Sequence, residues 1–270
     1  MKSNRRLAAF AGAVPSLLLV WAAPAEDWQG YERLTREQLL ARLTQSGTPA
    51  PSLTGRNFSA LDLSGIDFRR ADLSASVFNE ATLIEARLDG CNLTVSFLER
   101  ANLSKASLTR ATLFSAQMAG AVLTGADLTG ARLIGDLRRV DLSHAKLIQV
   151  DAAPDMKNQS MGLMRANIVN ATVLAADMSG SDFSRADLSF SDFTGTRMVG
   201  TKLVRADFSG ARLIGVDLTG ADLREAILID ADLTDANLSK ANLGDAQLRG
   251  VKGLSSARRP DTLGLPGGGE

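Results

Sequence analysis

Large aromatic side chains are scarce in this sequence: Phe, Trp and Tyr make up 5% of 270 residues. An ordinary globular core leans on large rings, so the interior here has to be assembled from small and medium side chains used repeatedly. A single cysteine, Cys91, rules out an intrachain disulfide framework. A single histidine, His144, leaves no histidine partner for a metal site or a nucleophile–base pair. An excess of either charge is missing too, with 30 basic and 30 acidic residues. Removing Lys2, Arg5 and Arg6 with an amino-terminal leader leaves 27 basic against 30 acidic. That balance favours neither phosphate binding nor a strongly anionic surface. Neither GxGxxG nor GxxxxGK[ST] occurs in a strand-to-helix setting, which argues against nucleotide binding.

Residues 1–25 read as a signal peptide. Lys2, Arg5 and Arg6 form a positive start, Leu7 to Ala25 is uncharged, and Ala23-Pro24-Ala25 has the small-x-small form of a cleavage site. A retained membrane anchor is the competing reading, weakened by Pro15 and an Ala/Gly-rich first half. Arg5-Arg6 matches a twin-arginine signal only loosely, so Sec and twin-arginine routes both stay open. The expectation is a periplasmic or secreted protein with no stable membrane insertion after cleavage.

What is abundant is a period of five. From Leu61 the chain reads LDLSG, IDFRR, ADLSA and onward to ARLIG, and the third residue is always Leu, Phe or Met from Leu63 to Leu133. A second block from Ala166 runs ANIVN, ATVLA, ADMSG to AQLRG, with central apolar residues from Ile168 to Leu248. Neither helical period 3.6 nor strand period 2 produces this. Residues i and i+2 of an extended chain point to one side, so the small first residue and the large third one both face inward. A corner then re-aims the next pair, and stacked coils at about 4.8 Å bury a continuous interior.

These repeats resemble the A(D/N)LXX motif of the pentapeptide-repeat family. The resemblance implies an all-β fold, a right-handed quadrilateral parallel β-helix, which at four repeats per coil makes a rod on the order of 40 Å long. Packing then predicts that Leu128→Asp unfolds the rod while Asp127→Ala is nearly silent.

Phase is lost after Leu133, where Leu142 follows nine residues on, and Ile148 to Gly162 holds no repeat. The expected layout is a signal peptide at 1–25, a linker and capping helix at 26–52, a first repeat block at 53–147, a projecting loop at 148–162, a second block at 163–253 and a disordered tail at 254–270. For the loop, a passive excursion and a recognition loop are both open. Thr35-Arg36-Glu37-Gln38 fits a capping box, with Leu34 and Leu39 as a hydrophobic staple and Gly47 as the stop. A helix from about Arg36 to Gln45 is expected as a lid on the terminal coil; docking on a membrane surface is the alternative.

Chemistry is hard to place on this pattern. His144 is expected at an exposed corner, and Cys91, standing where Ala usually does, should be buried and inert. Asp182, Asp187 and Asp192 recur because the motif favours Asp beside the central residue, so their spacing is no sign of acid/base catalysis. Trp28, Tyr31, Phe97, Phe114 and Phe190 are the candidate exposed rings, with Phe97 expected to point outward as part of a small apolar patch. The reading is therefore a non-catalytic scaffold with no catalytic, metal or cofactor residues and no cofactor. It presents a rigid surface to a protein partner and binds no nucleic acid. The alternative is a DNA mimic that binds an enzyme such as gyrase. A duplex imitator should be strongly negative, whereas residues 56–252 carry 24 acidic and 22 basic side chains.

Overall fold

The computed structural model describes residues 28, 30–45, 52–154 and 165–265. The expected leader at 1–25, the stop at Gly47, residues 155–162 of the expected loop and the end of the tail at 266–270 lie outside the described residues. The chain divides into two units, Met1–Gly30 and Tyr31–Glu270, and the repeats lie in the second.

Five residues form one short extended segment and one turn. Where Asp or Asn precedes the central residue, its Oδ1 accepts a hydrogen bond from the backbone N–H two residues on, Asn167 excepted. Examples are Ser64 N–H to Asp62 (3.0 Å), Thr129 N–H to Asp127 (2.9 Å) and Thr194 N–H to Asp192 (3.0 Å). This Asx turn starts the corner and explains the motif's second position locally. The fifth residue is left-handed, with φ of 57° at Ala60, 59° at Glu80 and 69° at Gly120. The first residue's N–H then closes the turn onto the preceding central carbonyl, as Ala71 does to Phe68 (2.8 Å).

Segments stack in parallel on partners twenty residues away. Asp62 pairs with Thr82, Thr82 with Asn102, and Asn102 with Val122. Twenty residues are four repeats, so each rung contributes four segments. Leu103 N–H donates to Val122 O (2.7 Å) and Asn102 N–H to Ala81 O (2.9 Å), satisfying the backbone between rungs. Inside, Ala101, Leu103, Ala121 and Leu123 are buried, as are Ile168 and Leu243 much farther along. Phe58 and Phe78 stack with centroids 4.9 Å apart, the rung spacing itself. Ser76 and Thr201 stand where Ala usually does. Their hydroxyls donate inward to Leu53 O (2.8 Å) and Met178 O (3.0 Å), so the polar atoms stay paired.

Two expected boundaries change. The phase break is a slip of one residue. Leu137 is already a central residue, buried like Leu142 and Leu147 after it. Strand β3 (Thr112–Gln117) pairs with β4 (Arg132–Asp136), and Ser115 bulges so that Ala116 faces Gly135. A Cβ at Gly135 would sit 2.1 Å from Ala116 O, so only glycine fits that approach. The coil also runs past 148. Asp151 bridges Arg132 below and Asp182 above, and Ala152 is a buried central residue. The insertion therefore begins after Pro154 rather than at Ile148. Pairings across it, such as Asp141 with Thr172, span 31 residues instead of 20.

The tail at 254–270 is ordered through Leu265. Arg258 pairs with Asn237 and Leu263 with Asn242; Ala257 is buried, and Leu254 and Leu265 pack on the core. It reads as a tail because Arg, Pro and Gly hide a last partial rung held by backbone bonds.

At the other end, β1 (Glu32–Arg33) pairs in parallel with β2 (Arg56–Asn57), adding a segment below the first full rung. Helix α1 spans Arg36–Gln45. Thr35 N–H donates to Gln38 Oε1 (2.9 Å) and Gln38 N–H to Thr35 Oγ1 (3.3 Å), a reciprocal capping box. Leu34 and Leu39 are buried in the core cluster, with Leu43 against it. Glu32 ties the pieces together through Arg42 (2.7 Å) and Arg56 (3.1 Å).

Leu128→Asp places an unpaired charge in the interior and should abolish cooperative unfolding by circular dichroism. Asp127→Ala removes the bond from Thr129 and weakens the contact to Lys146, so it should cost about 1 kcal/mol rather than nothing. Asp67, Asp136 and Asp222 are held below the usual carboxylate range, chiefly by hydrogen bonds from Arg69, Arg138 and Arg224. Their contribution is present above the unfolded value near pH 4 and lost as pH falls through the lower folded values. A denaturation midpoint that is flat from pH 8 to 5 and drops below about pH 4 is expected.

Candidate interaction surface

The outward side chains come in columns, one set per side of the coil. Asp182, Asp187 and Asp192 fall on three successive sides, so the spacing of five separates the carboxylates instead of bringing them together. Asp182 faces Lys202 one rung on (3.6 Å), and Asp192 faces Arg212 (3.6 Å). Asp177 with Arg197 (3.4 Å) and Asp127 with Lys146 (3.9 Å) repeat the arrangement on a further side. At the corners Glu80 meets Arg100 (2.6 Å) and Glu225 meets Arg205 (2.7 Å). These exposed pairs are each worth at most about 1 kcal/mol. Their larger effect is to neutralise the surface locally.

Among the other candidates, His144 is exposed at a left-handed corner with φ of 59°. Cys91 is fully buried, its thiol donating to Phe68 O (3.0 Å), and burial pushes its pKa up to about 12. A thiol so rarely ionised is a poor nucleophile. Trp28, Tyr31, Phe97 and Phe114 are half-buried, and Phe97 stands at a second position of its repeat, between Val77 and Gln117 of the adjacent rungs. Phe190 is 63% exposed and lies along the corner against Gly210 of the next rung, where a Cβ would come within 2.7 Å of its ring. Among the described residues no group of His, Cys, Asp and Glu is arranged to hold a metal ion, and no helix is long and apolar enough to cross a membrane.

One surface depression lies on a regular column and another at the slipped corner. One, of about 660 Å³, is lined by Asp67, Arg69, Arg70, Arg87 and Asp89 with Ser107. Asp67 pairs with Arg69 (2.5 Å) and more loosely with Arg87 (3.9 Å), which also approaches Asp89 (3.9 Å). The other, of about 350 Å³, sits at the slipped corner, lined by Ser115, Gln117, Gly135, Asp136, Arg165 and Asn167 among others. Arg138 chelates Asp136 through Nε (2.8 Å) and Nη2 (2.6 Å), and Arg165 reaches Asp187 (2.9 Å). Asn167 Oδ1 is buried with no hydrogen-bond partner among the described residues. A buried carbonyl left unpaired is costly, so this corner has an acceptor to offer an incoming N–H. The bulge, Gly135 and the insertion after Pro154 all fall on this one corner of successive rungs. The sequence signal for it is the four-residue step from Leu133 to Leu137, overlooked beside the nine-residue gap to Leu142.

Several solved structures are similar. HetL, a pentapeptide repeat protein involved in heterocyst differentiation regulation from the cyanobacterium Nostoc sp. strain PCC 7120, is 27% identical. That match covers 87% of this chain and all of HetL, with a TM-score of 0.44. Trypsin-treated QnrB1, a plasmid-mediated fluoroquinolone resistance protein, is 19% identical over 75% of this chain and 91% of its own, with a TM-score of 0.49. Rfr23 from the cyanobacterium Cyanothece 51142 is 26% identical over 47% of this chain and 88% of its own, with a TM-score of 0.35. No curated protein matches significantly. The family model for pentapeptide repeats matches eight copies within residues 57–94, 98–130 and 163–252, and its long gap covers the slipped and inserted rungs. With more than half of its residues matched, this chain belongs to the pentapeptide-repeat family.

Proposed function

We propose that the protein is an exported, non-catalytic scaffold that presents the side chains around its slipped corner to a protein partner. Pentapeptide-repeat proteins are right-handed β-helices and in general serve as structural or interaction modules. In this reading the coil is four-sided, α1 is the lid on its first rung, and the insertion after Pro154 leaves from the corner that precedes Asn167. The observation that carries the proposal is the contrast between the columns and this corner. In the columns, carboxylates are consumed by Asx turns and ion ladders. At the corner, a slip, an insertion and an unpaired buried carbonyl coincide. Loops leaving a rigid frame are favoured places for recognition. The alternating ladders weigh against imitation of a uniformly anionic duplex.

Two measurements bear on this. A reporter fused after Ala25 should be exported and the mature amino terminus should be Glu26; an intact leader on protein that stays inside the cell would refute the location. Replacing residues 155–164 by a short Gly-Ser linker should leave the folded spectrum unchanged and remove captured partners. An unchanged partner set would retire the corner as the recognition site.

A further inference from the structure

The coil's two ends are chemically different. Within each segment, two N–H groups and one carbonyl point toward the following rung. Leu228 and Asp230 donate to Gln247 O and Arg249 O, each at 2.9 Å, while Ala226 O accepts from Gln247 N–H (2.9 Å). The preceding rung is met by the opposite excess, two carbonyls and one N–H. Repeated on every side, this makes the first rung rich in carbonyls and the last rung rich in N–H groups.

The amino-terminal end shows how the chain treats such an edge. Arg36 donates to the carbonyls of Asp62 and Ser64, the latter at 3.4 Å, and Arg33 donates to that of Ser59 (3.3 Å). These are carbonyls that a preceding rung would otherwise have met. At the far end, Leu248, Gly250 and Gly253 donate to no backbone acceptor among the described residues, although their counterparts one rung earlier do. Residues 246–265 carry Arg249, Lys252, Arg258 and Arg259 against Asp261 alone. Arg249, Arg258 and Arg259 make no ion pair among the described residues. Leu248, Leu254 and Leu265 are half-buried over the end of the core, and Leu263 is 61% exposed.

We propose that this end accepts an extended segment of a partner protein in which acidic and apolar side chains alternate. Its carbonyls take the N–H groups of Leu248 and Gly250, and its own N–H meets the carbonyl of Ala246. Because side chains alternate along a strand, one set covers Leu248 and Leu254 while the other reaches Arg249 and Lys252. Charge selects this occupant. A second copy would bring two N–H-rich, cationic ends together, and the chain's own leader carries Lys2, Arg5 and Arg6. The inference rests on the scaffold reading but uses a surface separate from the slipped corner.

The test is fluorescence anisotropy with labelled, end-blocked peptides alternating Glu with Val, Lys with Val and Ser with Val. Amide chemical shifts of the protein are followed alongside. The Glu-Val peptide should bind in a salt-sensitive way, shift the Leu248, Gly250 and Gly253 amides most, and outcompete the other two. Arg249→Glu with Lys252→Glu should weaken it about ten-fold with the thermal midpoint unchanged, since exposed charges contribute little to folding. Equal binding of Lys-Val and Glu-Val peptides, shifts confined to the sides of the coil, or a dimer that protects these amides would each overturn the proposal. None of these outcomes alters the partner capture that tests the slipped corner.

Discussion

Everything in this protein depends on backbone hydrogen bonds between residues one rung apart. That spacing is twenty residues where the repeat is unbroken, and it places each small first residue and large central residue over its counterpart below. No single segment is long enough to be stable alone. Each buries its inward pair only because another covers it, so stability accumulates as a sum over neighbours. The centre takes Leu, Phe, Met, Ile or Val and, at Ala152, Ala, while the position two residues before it is mostly Ala, Ser, Thr or Cys, with Ile66, Val140, Val150 and Val216 the larger buried exceptions. The buried hydroxyls of Ser76 and Thr201 keep to that rule by bonding to carbonyls of the rung below.

The same constraint says where function has room. Within a regular rung the second residue is committed to its Asx turn and, commonly, to an ion pair with the next storey. Substituting it trades one local contact for another. Departures from the register are different, because they change the backbone. At Gly135 the ladder closes up by one residue, and after Pro154 it lets eleven extra residues out before resuming at Ala166. Both leave from one corner, where Asn167 keeps a buried acceptor unpaired. The ends are the other departure: arginines meet the carbonyls of the first rung, while the last rung's amides have no equivalent cover among the described residues.

Much of this could be read from the chain directly. The in-phase apolar residues from Leu63 to Leu133 and from Ile168 to Leu248 identified the buried column, and the capping box at Thr35 and Gln38 located α1 within a residue. Three features escaped. Leu137 was missed because a bulge opposite, at Ser115, absorbs the lost residue, and a bulge on one rung cannot be seen in the spacing of the next. Ala152 was missed because an alanine at a central position breaks the apolar pattern while the backbone continues. The ordered stretch to Leu265 was missed because its rung is held by main-chain bonds, which Arg, Pro and Gly do not advertise.

The central claim is that coil register survives both the slip and the insertion, and paired cysteines test it most directly. Facing residues in a parallel ladder come close enough for a disulfide, whereas residues on different sides do not. Asp141→Cys combined with Thr172→Cys should cross-link under mild oxidation, because these two positions face each other across 31 residues of chain. Asp141→Cys with Asn167→Cys, which lie on neighbouring sides of the coil, should stay reduced. Efficient linkage of the second pair and none of the first would contradict the account.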